Sequence, residues 1–313
     1  MNKIKNYLSL VKFSHTIFAM PFAMIGFFLG ITNHGYYNSF SQNVYYGVIG
    51  VSKNFFVNYP HSWPEVFIRF FLVLVCMVTA RSAAMAFNRY LDRSFDAQNP
   101  RTAIREIPKG IISANSALRF VILNCVLFTI ATWFINSICF YLSPVALFVI
   151  LFYSFTKRFT ALCHLVLGLG LSLAPIGAYL AVTGVFAWVP VLFSLSVIFW
   201  VSGFDIIYAL QDEEFDKSND LYSIPSRLGK VRALRVSELL HIISAACVIA
   251  AGYYGQFHWI YWIGIAVFVA MLIYQHSLVK PNDLSKVNIA FMTANGIASV
   301  VFAALVIADL FVF

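Results

Sequence analysis

Long apolar runs alternate with short polar segments along almost the whole chain. A helix that crosses a bilayer needs roughly 20 mostly apolar residues. Nine runs qualify, at about 14–32, 65–87, 111–132, 139–156, 160–182, 187–209, 234–254, 258–277 and 287–309. Backbone groups surrounded by lipid must bond within their own element, so runs of this length are predicted as helices. The pattern therefore predicts an all-α membrane protein with nine transmembrane helices, and a single polytopic domain over residues 1–313.

Charge placement tests the count. With the N-terminus in the cytoplasm and sides alternating, nineteen Lys and Arg residues fall on the inner side. Only Lys53 and Arg69 fall outside. Cytoplasmic loops of membrane proteins carry such an excess. The N-terminus is accordingly expected inside and the C-terminus outside, in a cytoplasmic (inner) membrane. Lys3, Lys5 and Lys12 before the first run resemble a signal peptide, but no small-residue cleavage site follows, so the run reads as a retained first helix. The outer segment 33–64 is rich in Tyr, Phe and Asn, which suits an interfacial loop; nothing in it points specifically to a lid or a partner surface.

Composition agrees. Of 313 residues, 61% are hydrophobic and 11% charged, and mean hydropathy is +0.81. Soluble domains carry about 25% charged residues, so most of this surface is expected to face lipid. The net charge of +8 does not imply nucleic acid, because the charges sit in short loops between spans. The five cysteines lie in apolar segments with no CxxC or metal-ligand spacing and read as small apolar filler.

Two polar segments, 88–110 and 205–233, break this pattern. The stretches 86–110 and 204–230 hold nine of the thirteen carboxylates. Asn88, Asp92 and Asp96 are spaced i, i+4, i+8; Asp205, Tyr208, Asp212 and Asp216 are spaced i, i+3, i+7, i+11. On a helix each set keeps to one face, drifting about 40° for each four-residue step. Like charges so spaced repel, and an acid near the membrane centre costs about 2.5–3.5 kcal/mol on insertion scales. Something cationic is expected between them. Hard oxygen donors suit Mg²⁺, which usually binds through a few carboxylates plus substrate phosphates. Basic residues in the same loops, Arg89, Arg93, Arg101, Arg105 and Lys109 beside the first set and Lys217, Arg227 and Lys230 beside the second, suit phosphate oxygens directly. Lys157 and Arg158 occupy the inner loop between them. Topology alone accounts for any single Arg or Lys; it does not account for two DxxxD pairs at the cytoplasmic ends of spans. A faint internal repeat accompanies them: Asp92 and Asp96 lead to Pro108 and Gly110, as Asp212 and Asp216 lead to Pro225 and Gly229.

"NRYLDRSFDAQNPRTAIREIPKG" resembles the NxxxDxxxD motif and NPRT continuation of the UbiA superfamily of intramembrane prenyltransferases. "YALQDEEFD…SIPSRLG" is similar to the second Asp-rich motif of its 4-hydroxybenzoate polyprenyltransferase branch, and "YSFTKRFT" to the Lys-Arg loop. "VKFSHTIFAMPFAMIG" resembles a branch from organisms that make menaquinone. The resemblance covers nearly the whole chain; the long 33–64 segment is its main departure. It implies nine helices around a cavity open sideways to lipid. It also implies Mg²⁺ held by Asn88, Asp92, Asp96, Asp212 and Asp216, and a polyprenyl diphosphate bound by Arg89, Arg101, Arg105, Lys157, Arg158, Lys217 and Arg227. The expected reaction moves the prenyl group to a ring carbon of a hydroxylated aromatic acid, 4-hydroxybenzoate ahead of a dihydroxynaphthoate, in respiratory quinone biosynthesis. Asp205 or Tyr208 would orient the acceptor or take its proton, and Arg158 with Lys157 would meet the leaving diphosphate or the acceptor carboxylate. No protein partner is implied.

Other classes fit less well. A transporter would hold its ion near the midplane at broken helices, whereas these acids gather at one membrane face. A CDP-alcohol phosphotransferase would show DxxDGxxAR, which "NRYLDRSFDAQNP" lacks. A noncatalytic scaffold would have no use for intact acidic motifs. Haem, chlorophyll and archaeal lipid prenylation lie in the same superfamily, but the second motif reads closest to the hydroxybenzoate type.

Overall fold

The computed structural model describes residues 3–12, 18–32 and 62–313. Their regular elements are helices, joined by turns and loops, with no strand among them. In chain order the helices are α1 (Lys3–Leu10), α2 (Met20–Ile31), α3 (Trp63–Leu91), α4 (Arg93–Gln98), α5 (Ala114–Ile135), α6 (Ser137–Thr156), α7 (Cys163–Thr183) and α8 (Trp188–Ala209). They continue as α9 (Glu213–Ser218), α10 (Ile224–Tyr254), α11 (Trp259–Leu278) and α12 (Asn295–Val312).

Eight helices among the described residues are long and apolar enough to cross a membrane, and they cover the second to ninth predicted runs. The first run is described only from residue 18. Its helix α2 has 12 residues, about 18 Å at 1.5 Å per residue, against a hydrocarbon core of about 30 Å. Of the outer segment 33–64, residues 33–61, Lys53 included, lie outside the described residues.

Local signals set the ends that periodicity misplaces. Helix α10 begins ten residues before the predicted start, because Ser223 and Ser226 form a reciprocal capping box and Pro225 sits in the first turn. This polar first part is a separate helical piece, joined to the apolar remainder of α10 by a kink at Gly229. The second repeat glycine, Gly229, has φ 76° inside α10, and its counterpart Gly110 has φ 70°, a left-handed conformation that favours glycine. Helices α5 and α6 are parted only by Asn136. Its side chain accepts from the Cys139 amide (2.9 Å) and donates to Leu180 O (2.8 Å).

The bundle is held by α10 against α8, α8 against α7, α7 against α2 and α6, α3 against α5, and α12 against α11 and α2. Its buried centre is aromatic: Phe22, Phe193, Trp200, Phe268 and Phe302 interlock. The Trp200 indole donates to Asn295 Oδ1 at 2.9 Å, so its polar edge is satisfied. Outward faces carry exposed Phe67, Phe71, Ile122, Phe148 and Ile242, as expected where lipid is the solvent. Arg69, one of the two basic residues expected on the outer side, is buried and donates to Ala181 O (3.3 Å) and Val182 O (2.9 Å). It closes the C-terminus of α7, a structural use of a cation at a helix end.

Alternation of helix direction brings the starts of α2 and α7 and the ends of α3, α6 and α8 to the same end of the bundle. Just before α12, a π-helical turn at Ile289–Ala294 joins them there.

Candidate active site

A cavity of about 290 Å³ opens at that end. Its mouth is polar and its floor apolar, with Phe18, Leu167, Leu171, Val201, Phe204 and Phe291 in its wall. Helix α3 contributes Arg81, Met85 and Asn88, with Asp92 at its C-cap, along one face. Neither acidic set lies on one unbroken helix. Helix α3 ends at Asp92, and Asp96 sits on the short α4. Asp205 and Tyr208 belong to α8, Asp212 to a 3₁₀ turn, and Asp216 to α9. All seven predicted polar residues still face the cavity, because each break turns the chain over its mouth.

The two acidic segments meet directly. Arg101, from the loop after α4, donates to Asp212 through Nε (3.0 Å) and Nη2, and through Nη1 to the Tyr208 hydroxyl (2.9 Å). Asn99 Nδ2 also donates to Asp212, at 3.1 Å. Burial works against the Arg101 charge, but Asp212 and Tyr208 more than offset it and raise its pKa. Asp92, only 2% exposed, is met by Lys157 Nζ at 2.6 Å, Arg158 Nη2 at 2.9 Å and Asn88 Nδ2 at 3.2 Å. Arg105 Nη1 donates to both Asp96 oxygens, at 2.7 and 2.9 Å. Asp216 accepts from Ser223 Oγ at 2.9 Å.

Deeper in, Asp205 Oδ2 lies 2.7 Å from His164 Nδ1, while His164 Nε2 accepts the Ile224 amide at 3.3 Å. That acceptor role leaves Nδ1 as the protonated nitrogen, so the ring donates to Asp205 and fixes its orientation.

Of the residues expected to bind diphosphate, Arg89, Arg101, Arg105 and Lys157 line the cavity. Arg158 lies behind Asp92, off the cavity wall. Lys217 pairs with Glu213 at 2.5 Å on the outer side of α9, and exposed Arg227 stacks on the Tyr222 ring at 4.1 Å. Neither reaches the cavity lining. Sequence reasoning passed over Asn99, Tyr153, His164 and Phe291, and treated Lys12 and Arg81 only as topological charges. Lys12 lines the mouth, and its pKa is lowered by burial and then by Arg89, Arg105 and Arg101. Phe291, carried by the π-helical turn, packs on Tyr208 with ring centroids 4.3 Å apart.

Among the described residues no three His, Cys, Asp or Glu side chains are gathered closely enough to hold a metal by themselves. The acids face cations instead. The donor set is nonetheless hard oxygen, and magnesium commonly takes only one or two carboxylates with the remaining ligands from phosphate and water. The residues fit a metal that arrives with a diphosphate.

The chain is thus a membrane-crossing helical bundle with two acidic segments closing over a cation-rich cavity. Residues 55–297 match the UbiA prenyltransferase family. The chain belongs to that family and is a multi-pass membrane prenyltransferase. It is similar to the 4-hydroxybenzoate octaprenyltransferase of Tolumonas auensis, at 30% identity over 228 residues, 73% of this chain and 79% of the relative. The protein of the same description from Nitrosospira multiformis is 31% identical over 232 residues, 74% of this chain and 79% of the relative. Among solved structures, a UbiA homologue from Aeropyrum pernix K1 matches with TM-score 0.77 and 28% identity, over 94% of this chain and 98% of that one. A UbiA homologue from Archaeoglobus fulgidus bound to GPP and Mg²⁺ shares the fold, with TM-score 0.69 at 19% identity, over 97% and 99%.

Proposed function

We propose that this chain transfers a polyprenyl group from polyprenyl diphosphate to the ring carbon beside the hydroxyl of a hydroxylated aromatic acid, with 4-hydroxybenzoate as acceptor, in respiratory quinone biosynthesis. The observation that carries the reading is the bridge between the acidic segments: Arg101 and Asn99 reach Asp212 across the cavity mouth. A headgroup entering there meets both segments at once. The octaprenyltransferase relatives support the acceptor.

Asn88, Asp92, Asp96, Asp212 and Asp216 would hold Mg²⁺, which supplies charge stabilisation for the departing diphosphate. Arg89, Arg101, Arg105 and Lys157 bind the phosphate oxygens as the allylic C–O bond breaks and its electron pair leaves with the diphosphate. Arg158 holds Asp92 in place from behind. Phe18, Phe204 and Phe291 keep water from the allylic cation. The acceptor ring carbon forms the new C–C bond, and the ring then loses the proton from that carbon to Asp205, oriented by His164. Tyr208, fixed by Arg101 and Phe291, walls the same region.

The reading includes a ninth crossing through residues 14–32, an N-terminus in the cytoplasm, a C-terminus outside, and a site facing the cytoplasm in the inner membrane. The nineteen-to-two charge distribution supports it. The test uses purified protein in nanodiscs with radiolabelled geranyl diphosphate and either 4-hydroxybenzoate or a dihydroxynaphthoate, in Mg²⁺ or EDTA. Mg²⁺-dependent prenyl-hydroxybenzoate is expected. Product only with the naphthoate would move the acceptor assignment, and no product with either, or with longer donors, would reject the aromatic-acid reading.

A further inference from the structure

The π turn at Ile289–Ala294 carries Phe291 into the cavity wall. Such turns are rare, occur mostly as single insertions inside α-helices, and often mark functional sites. An insertion loosens the i→i−4 ladder, and carbonyls so freed within a membrane need partners from the protein itself. Two buried side chains supply them. Gln275 Nε2, from α11, donates to Ala290 O at 2.8 Å. Asn295 Nδ2 donates to Ala290 O at 3.2 Å and to Phe291 O at 3.0 Å. Asn295 is itself fixed by the Trp200 indole at 2.9 Å. Trp200 packs on Phe204 with ring centroids 5.1 Å apart, and Phe204 on Phe291 at 5.4 Å. The clamp therefore closes on itself around the turn.

Gln275 is the unexpected member. It is fully buried in an apolar helix behind the cavity wall, and its amide oxygen has no hydrogen-bond partner among the described residues. A buried acceptor left unpaired is costly, and an apolar side chain of the same length would avoid that cost. Flipping the amide would set its oxygen against Ala290 O. The residue is thus explained by its donor, and that donor holds the carbonyl next to Phe291. Phe291 in turn lies against Tyr208, with centroids 4.3 Å apart, and edge-on to Phe18 at 5.3 Å. Phe18, Phe204 and Tyr208 all line the cavity. One hydrogen bond behind the wall therefore bears on four aromatic rings in it.

We infer that Gln275 is a positioning residue for prenyl transfer: by holding the π turn at Ala290 it seats the Phe291 ring against Tyr208, and that seating keeps water from the reacting carbon. The inference rests on the prenyl transfer proposed above and names a residue outside the cavity that governs its outcome. Once the allylic C–O bond has broken, two steps compete. In transfer, the acceptor ring carbon forms the C–C bond and the ring loses a proton. In the side reaction, a water oxygen forms a C–O bond to the allylic carbon, a water proton goes to solvent, and the prenyl alcohol results. A closed aromatic wall disfavours the second step. A net hydrogen bond of this kind shifts an equilibrium by about 2- to 10-fold, so its loss should unseat Phe291, and change the product split, by a factor of that order.

The test compares wild type, Gln275→Met, Phe291→Leu and the double variant in nanodiscs with radiolabelled geranyl diphosphate, 4-hydroxybenzoate and Mg²⁺. It measures the ratio of geraniol to prenylated acid and the KM for geranyl diphosphate. A second readout needs no turnover: the ¹⁹F resonance of 4-fluorophenylalanine placed at position 291, with and without Gln275→Met. Gln275→Met is expected to raise the geraniol ratio about 2- to 10-fold, to leave the diphosphate KM within about twofold, and to shift or broaden the resonance. Phe291→Leu should raise the ratio at least as far, and the double variant no further, because Gln275 acts through Phe291. A merely structural role would lower the melting temperature and leave the ratio alone. An unchanged ratio in Gln275→Met, additive effects in the double variant, or an unmoved resonance overturns the inference. If Gln275→Met does not fold, Gln275→Asn, whose donor falls one methylene short of Ala290 O, takes its place with the same refuting results. Wild type that prenylates no acceptor would defeat the proposed reaction, and the ¹⁹F response would still decide whether Gln275 seats Phe291.

Discussion

Asp212→Asn separates a structural from a chemical role for the residue at the meeting of the two segments. The substitution keeps size and one acceptor oxygen but removes the charge. In the resting protein Asp212 accepts from Arg101 and Asn99, and the two side chains of the ion pair remain 31% and 20% exposed. A pair so open to solvent is worth at most about 1 kcal/mol of stability. If Asp212 also contributes to stabilising the departing diphosphate, its loss should resemble removal of one preorganised charge-stabilising group, about 2.7–4 kcal/mol or 10²- to 10³-fold in rate. The catalytic effect therefore outweighs the structural one. The expected result is a drop of about 10²- to 10³-fold in kcat/KM, a higher Mg²⁺ half-saturation and nearly unchanged melting in detergent. Arg101→Ala and the double variant complete the cycle. If Asp212 acts only by holding Arg101, the double variant will be no worse than Arg101→Ala. Activity within about twofold of wild type, with an unmoved Mg²⁺ dependence, would refute the reasoning, since the loss expected on removing a charge-stabilising group would then be absent.

Lys157→Ala removes the 2.6 Å contact to Asp92 and should raise the KM for prenyl diphosphate by roughly 10-fold or more, as loss of a charge-assisted bond requires; an unchanged KM would remove Lys157 from the headgroup site. Lys12 has its pKa lowered by burial and by Arg89, Arg105 and Arg101. A bound anion raises that pKa, so binding takes up protons and diphosphate affinity should fall as pH rises through the free-state pKa. Lys12→Arg, which stays charged, should flatten that alkaline limb in isothermal titration, and an identical pH profile in both proteins would contradict the assignment. Asp309 is fully buried and accepts the amides of His258 (2.9 Å) and Tyr261 (3.1 Å) at the start of α11. Asp309→Ala leaves both donors unpaired at about 1–3 kcal/mol each, so thermal stability should fall markedly, and a melting temperature within a degree of wild type would show that other groups satisfy them.

How much of this was legible beforehand varied with the physics behind each signal. Span positions were legible because length and apolarity are summed over about twenty residues, and a local exception changes little. The acidic faces were legible because like charges at helical spacing are rare without a counterion. The breaks at Asp92 and Asp212 were not, since a period tells which residues share a face and not where the helix stops. Charge sign also proved a poor guide to location. Lys217 and Arg227 sit in the right segment but miss the cavity, one pairing with Glu213 and the other stacking on Tyr222. Lys12 and Arg81, counted only toward topology, line the cavity. Their roles depend on which helices become neighbours, and no one-dimensional pattern holds that information. His164 was invisible for the same reason, because its meaning comes from Asp205 on the next helix.

The ion pairs of the mouth explain how one set of residues serves two purposes. The cavity wall carries six cations, Lys12, Arg81, Arg89, Arg101, Arg105 and Lys157, against five carboxylates, Asp92, Asp96, Asp205, Asp212 and Asp216. A free diphosphate would have to displace the carboxylates, and a bare divalent cation would have to displace the arginines and lysines. Either exchange alone leaves one set of charges unpaired and costs more than an exposed pair returns. Metal and diphosphate entering together satisfy both sets, carboxylate to metal and cation to phosphate, so each resting pair is replaced by two new ones. If the chain binds both, as proposed, their binding is expected to be strongly cooperative. The proposed coupling fits the finding that, among the described residues, no three acids converge on a ready-made metal centre: a site that captured the ion alone would forfeit that coupling. In the resting structure Lys157, Arg105 and Arg101 hold Asp92, Asp96 and Asp212 in place at the mouth.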